Sequence, residues 1–416
     1  MYGSPVNADL ARPTRLRGES IGFAVAAGVT FGLAISAVAF AQPGPPPTAG
    51  SVAVPDPPWF YVRSDDLQSQ MRLGAEMLLR AQLDVIGDAP SAATPITTLR
   101  PVVAGYVYKK WIRFATSMEL AANPPYLLSA YVELQPTESF GLRLGQQGTP
   151  YSRHEFAYGA SQLLMPEWDQ VANYFWTGYD KGATAFGATR DSLVEWQLGA
   201  YLGSPLRQFT TIPGNYLFTS RLVVNPMGKV GATEYAYAEA AAPAPLRYSM
   251  GLSGFTSKAT LAVENFNPTT FLFDTVPTGS ASRDQGLGVD LLFQSPRVVA
   301  LAEGYLRHVE PEGSGAEYTS VGAFAQAGVL VYRRAIDAAV RLSWADVNLA
   351  VAHDAAYAFE VANTWYVRPR QLAVKLRYGY GRQIEPLNGA STAGLAPLIF
   401  PQPEIHLLTA QLTLAI

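Results

Sequence analysis

Residues 127–134, LLSAYVEL, are followed by QPTES at 135–139 and FGLRLGQQ at 140–147. In the first run Leu128, Ala130, Val132 and Leu134 alternate with Ser129, Tyr131 and Glu133; in the second Phe140, Leu142 and Leu144 alternate with Gly141, Arg143 and Gly145. Side chains at i and i+2 share one face of a strand, so each run has an apolar and a polar side. The connecting QPTES is polar, contains Pro, and is too short for anything but an antiparallel reversal. Such a hairpin suits the edge of a soluble sandwich or the wall of a membrane barrel.

The same unit recurs along the chain. Residues 71–85 place Met71, Leu73, Ala75, Met77, Leu79, Ala81, Leu83 and Val85 on one face, with Leu78 as the lapse on the other. A helical period of 3.6 would mix these sets. After a loop around 88–98, residues 99–107 and 111–120 read as two strands about Tyr108-Lys109-Lys110. Later pairs are 183–189 with 193–202, 216–225 with 246–254, 286–294 with 297–308, 319–332 with 337–346, and 357–366 with 371–381, before a last strand from Ile405 to Ile416. Most turns within these pairs are short; the 216–225 pair is joined by a longer Ala-rich connection, a long aromatic segment without strand periodicity falls at 148–182, and long polar loops fall at 255–285 and 382–404. Short turns alternating with long loops mark an outer-membrane barrel, which predicts an all-β fold: a transmembrane antiparallel β-barrel of about 16 strands with long external loops. Strand parity makes 148–182 the third external loop.

Composition agrees. The 416 residues carry a net charge of −3 and no cysteine, which leaves neither a nucleic-acid footprint nor a disulfide or thiolate framework. Arg12, Arg15 and Arg17 precede an uncharged run from Ile21 to Ala41 that ends Ala39-Phe40-Ala41. A basic stretch, an apolar stretch and small residues at that spacing read as a secretory signal, the alternative being a retained anchor, since the run is long enough to span a bilayer. The expected organisation is a signal peptide over 1–41, a Pro-rich linker over 42–66 and the barrel over 67–416.

Charge is kept off the apolar faces. Val298, Ala300, Ala302 and Leu306 oppose Glu303 and Arg307; Leu372, Val374, Leu376 and Tyr378 oppose Lys375 and Arg377. Trp344, Trp365, Tyr378 and Tyr380 sit near strand ends, as interfacial girdles require. Other readings remain open at this level: a barrel hydrolase, an adhesin presented on the long loops, or a secreted carbohydrate-binding sandwich.

The hairpin with its continuation, LLSAYVELQPTESFGLRLGQQGTPYS, resembles the phosphate-selective porins of the O and P type, whose second arm closes in Gly-Gln and then Pro-aromatic-Ser, here Gly145, Gln146, Pro150, Tyr151 and Ser152. VEWQLGAYLGSP at 194–205, SRLVVNPMG at 220–228 and NTWYVRPRQLAVKLRYGY at 363–380 extend the resemblance. It implies a trimeric outer-membrane channel whose third loop folds inward to narrow the pore. The basic loop residues behind that family's phosphate specificity are sparse here: Arg153, His154 and Lys181 in 148–182, and Lys258 and Arg283 in 255–285.

Parity then nominates the lumen. Arg72, Arg80, Arg113, Arg143, Arg221, Arg247, Arg307, Arg341, Lys375 and Arg377 would line it together with Glu133, Glu195, Asp290 and Glu303. These residues would either guide anions by field focusing or pair across neighbouring strands and keep the lumen hydrated. Tyr151, Arg153, His154, Trp168, Trp176 and Lys181 would form the constriction loop, its aromatics either packing the loop to the wall, the favoured reading, or offering a stacking track for sugars or aromatic solutes. The four histidines share no ligand spacing and no nucleotide or nucleophile motif appears, so neither metal nor cofactor is expected. The expected partners are membrane lipid and small hydrophilic solutes, including inorganic anions.

Overall fold

The computed structural model describes residues 60–66, 68–86, 89–123, 125–203, 212–231, 233–239, 245–267, 272–313, 315–333, 335–351, 355–369, 371–382 and 404–415. The leader expected at 1–41, the expected linker as far as residue 59 and nearly all of the loop read at 382–404 lie outside them.

Strands β1 (Phe60–Arg63), β2 (Gln70–Ile86), β3 (Ala89–Ala93), β4 (Ile96–Val107), β5 (Lys109–Glu119), β6 (Tyr126–Leu134) and β7 (Gly141–Gly148) form the first part of one sheet. There follow β8 (Tyr179–Ala188), β9 (Val194–Tyr201), β10 (Tyr216–Val224), β11 (Arg247–Asn267) and β12 (Leu272–Gln294). The wall finishes with β13 (Val298–Pro311), β14 (Tyr318–Tyr332), β15 (Ile336–Asp346), β16 (Ala356–Arg368), β17 (Leu372–Arg382) and β18 (Ile405–Ala415). Each pairs antiparallel with its neighbours, and β18 closes on β2 from Ile405↔Ile86 to Ala415↔Glu76, giving a 16-stranded barrel. The strands reach this number because β3 and β4 pair with the same side of β2 and form one interrupted stave. β1 is the other extra segment. It pairs with β2 at Phe60↔Leu73, just beyond the point where β18 stops, and so extends the seam.

Two stretches read as loops are strand. The 88–98 segment contains β3, and residues 255–285 lie mostly within the long hairpin of β11 and β12. Alternation of apolar and polar faces ends where a ladder leaves the bilayer, but the backbone bonds of the ladder do not need it. The division at Tyr108 is as read: β4 and β5 turn there, and Tyr108 takes a left-handed φ of 63°.

The hairpin of β6 and β7 has the register that alternation predicts, with Val132↔Leu144 outward and Glu133↔Arg143 inward. Along its outer face the barrel exposes Leu198 (56 %), Leu287 (58 %), Val289 (55 %) and Leu342 (56 %), interspersed with smaller apolar residues. A water-soluble sandwich would turn such rows to its core, whereas a barrel presents them to lipid.

The inner face is not uniformly polar. Leu292, Val299, Leu301, Tyr305 and Phe324 point into the barrel and are buried. They are covered by the segment between β7 and β8, which folds inward as helix α1 (Arg153–Ala157), a 3-10 turn (Ala160–Gln162) and helix α2 (Gln170–Phe175). The cluster also takes in Tyr235, Tyr237 and Ala238, from the connection between β10 and β11 that carries helix α3 (Ala236–Glu239).

Candidate functional site: a charged lumen crossed by an inward loop

The inward loop is built from capped short helices. Ser152 caps α1 by accepting from the Glu155 N–H at 3.2 Å, and Asp169 caps α2 by accepting from Val171 and Ala172 at 2.8 and 3.1 Å. Such oxygen caps satisfy N–H groups that a short helix leaves unpaired. Both caps also reach the wall: Ser152 Oγ donates to Glu303 at 2.9 Å, and Ser343 Oγ donates to Asp169. The wall makes room with glycine. At Gly322 a Cβ would lie 2.5 Å from the Phe175 ring, and at Gly328 one would lie 2.7 Å from the Leu164 side chain. Phe175 stacks on Tyr305 with ring centroids 5.1 Å apart, and Tyr151 meets Phe255 edge-on at 4.9 Å.

Most of the basic residues placed in the lumen by parity hold this loop or pair with wall carboxylates. Arg80 donates to Glu167 at 3.1 Å and to Gln411 at 3.0 Å. Arg377 bonds Glu167 and, at 2.8 Å, Glu360; Arg341 bonds Glu360 at 2.5 Å and the Glu167 carbonyl at 3.0 Å. Lys375 donates to the carbonyls of Leu163 and Met165. Arg221 reaches Asp290 at 2.5 Å and the Tyr151 carbonyl at 3.0 Å, and Arg153 shares Asp290, also at 2.5 Å. Glu303 accepts from the His154 N–H at 2.6 Å. Away from the loop, Arg113 and Arg143 flank Glu133 at 3.3 and 2.7 Å, Arg307 pairs with Asp284, and Arg247 donates to the Lys229 carbonyl. Glu195 meets Lys229 at 3.2 Å, while Arg72 is half-buried on β2.

Among the loop residues, Tyr151 donates to the Leu287 carbonyl at 2.8 Å, and Trp176 donates to the Thr149 carbonyl at 3.0 Å. Trp168 lies under the Arg100 guanidinium, 5.9 Å from ring centroid to carbon. Lys181 departs from its expected place. The loop ends before β8, and the Gln146↔Lys181 pair alternates with Gln147↔Asp180, whose side chains are buried inward. Lys181 is therefore a wall residue on the outward register.

Burial alone would push the Glu167 carboxyl up, but Arg377 and Arg80 outweigh it and hold it at about 2. Around Glu155 the lowering influences are weaker than burial, which pushes it up to about 8. Alternation could not reveal Glu167 or Glu234, which lie in aperiodic segments with partners distant in sequence; Arg100, opposite Glu76 on the adjacent strand, was within its reach but missed. A signal did exist in the apolar lapses on the polar face. Leu78, Val299, Leu301 and Phe324 mark where the lumen is filled rather than wet.

No family model matches the chain, and no curated protein sequence matches it. Solved structures do. The fold is that of outer-membrane porins. An anion-selective porin from Comamonas acidovorans aligns over 84 % of this chain and 100 % of its own, with a TM-score of 0.58 at 10 % identity. In-vitro folded OmpT of Vibrio cholerae, an outer-membrane protein in a trimer form, aligns over 82 % and 99 % with a TM-score of 0.50 at 11 % identity. Salmonella typhi OmpF in complex with daunomycin aligns over 85 % and 100 % with a TM-score of 0.51 at 9 % identity.

Proposed function

We propose that the protein is a passive channel of the bacterial outer membrane, exported by its leader, through which small hydrophilic solutes diffuse down their gradients. One observation carries this reading: an apolar outer wall encloses a charged interior that an inward loop crosses. The short-turn end faces the periplasm and the long loops face outward. The homotrimer follows from the resemblance and from the trimer form of a structural neighbour. Purified protein in a planar bilayer should give stepwise conductance, and a silent membrane with intact β-structure would reject the channel.

Selectivity should be slight and toward anions. Arg80, Arg100, Arg113 and Arg143 rise from β2, β4, β5 and β7 along one arc of the wall, but Glu76, Glu119, Glu133 and Glu167 accompany them at salt-bridge distance. Paired charges keep a pore hydrated and leave a weak net field. This pattern supports a general anion preference over phosphate specificity. Reversal potentials in a salt gradient test it, and clear cation selectivity would overturn it.

A further inference from the structure

We infer that the constriction has two parts, one entering from each mouth of the barrel, and that the connection between β10 and β11 fixes the position of the inward loop. This rests on the channel reading and deepens it by naming a second element that sets the pore. The connection leaves β10 at the short-turn end, where the Asn225 N–H, just past the last paired residue, donates to the Leu193 carbonyl in the turn before β9 at 2.7 Å. The loop between β7 and β8 enters from the opposite end. They meet inside.

The junction is fully buried. Glu234 is 1 % exposed and His154 0 %. Glu234 Oε1 lies 2.6 Å from His154 Nδ1, and its Oε2 accepts from the Leu164 N–H at 2.7 Å. The backbones join as well, through Glu234 N–H to the Gln162 carbonyl at 3.1 Å, and Tyr235 donates from its hydroxyl to the Ser161 carbonyl at 2.8 Å. The opposite side of the ring fixes the tautomer. His154 Nε2 accepts from the Asp169 N–H at 2.9 Å, so the ring proton sits on Nδ1 and points at Glu234. A single carboxylate thus orients the imidazole that ties α1 to the cap of α2. The connection is itself moored to the wall: the Gly231 N–H donates to Gln294 at 2.7 Å and the Tyr237 hydroxyl to Asp337 at 2.7 Å.

A short turn would suffice to join β10 to β11, so strand closure does not account for this buried segment. Its polar groups are instead spent on the inward loop. Glu234 is a positioning residue, and removing its carboxylate leaves two buried donors, His154 Nδ1–H and Leu164 N–H, without their acceptor.

The native chain contains no cysteine, which allows a clean proximity test. Full-length protein carrying Ser161→Cys and Tyr235→Cys should cross-link through a disulfide when the barrel is refolded in a glutathione redox buffer, with no reagent needing to enter the folded junction, and the joined protein should keep one steady conductance level. Glu234→Ala should lose that level and show higher unit conductance with frequent transitions, while Glu234→Gln, which keeps an acceptor oxygen, should fall between it and the native protein. Folded barrels that do not cross-link, or Glu234→Ala channels identical to native ones in conductance and noise, would overturn the inference. If Glu234→Ala fails to fold, the cross-link alone decides. A native protein that conducts nothing would defeat the channel reading instead, while the cross-link would still report the junction.

Discussion

Two carboxyls of the inward loop, Glu167 and Glu155, settle into opposite charge states at neutral pH. Glu167 is held at about 2 by Arg377 and Arg80 against the cost of burial, so its contribution is present above the ordinary carboxylate range and is lost as pH falls from about 4.5 toward about 2. Unit conductance should therefore be steady at neutral pH and become noisy and larger in that acid window. Bilayer recordings from pH 7 to pH 3 would show it. Glu155 behaves oppositely. Burial raises it to about 8, so it is protonated at neutral pH, and the loop loses stability as pH rises from about 4.5 to about 8. Glu155→Gln, uncharged throughout, should remove that loss and make the loop more resistant to proteolysis at pH 8 than in the native barrel. Part of this chemistry was legible. The Glu133–Arg143 pair follows from the register of adjacent strands, and it forms at 2.7 Å. Glu167 and Arg377 lie 210 positions apart, and no local period connects them.

At the scale of elements, strand positions were readable because lipid imposes a period of two on one face, whereas strand ends in β11 and β12 were not, because outside the bilayer that constraint disappears. The inward loop was recognisable as aromatic and aperiodic, but its helices were not, since α1 and α2 are too short to show a period and form through caps and packing. The wall beneath them gives a sharp test. Gly322 and Ala323 are adjacent on β14 but face opposite ways, Gly322 toward Phe175 and Val171 and Ala323 outward. Gly322→Val should drive side-chain atoms into those two residues at a cost of about 1–3 kcal/mol, displacing the loop and changing unit conductance. Ala323→Val places the same side chain toward lipid, adding two carbons where Gly322→Val adds three, and should leave conductance unchanged. Equal effects of the two substitutions would show that the loop does not rest on this wall.

For the molecule as a whole, the governing fact is that two faces of one sheet obey different solvents. The inner face tolerates Arg307 and Arg341 because each has a buried carboxylate partner, Asp284 and Glu360 respectively. The outer face is apolar over most of its length; alternation picked out its residues, and the exclusion of charge and the aromatic strand ends pointed them to lipid. That reading predicts an asymmetry between neighbours on β15. Arg341 is native and inward, while Leu342 is 56 % exposed and outward, opposite Ala325 and Phe359. Leu342→Arg should cost up to about 4 kcal/mol if the residue sits at the bilayer midplane, and less nearer an interface, because the guanidinium must be hydrated within hydrocarbon. Leu342→Ala removes apolar surface without introducing charge and should cost less. Reversible unfolding in lipid vesicles would measure both. In detergent the penalty for Leu342→Arg should shrink, since water reaches a micelle-covered wall more readily than a bilayer core. An equal penalty in both environments would mean that this face packs against protein, which would place a subunit interface on β15.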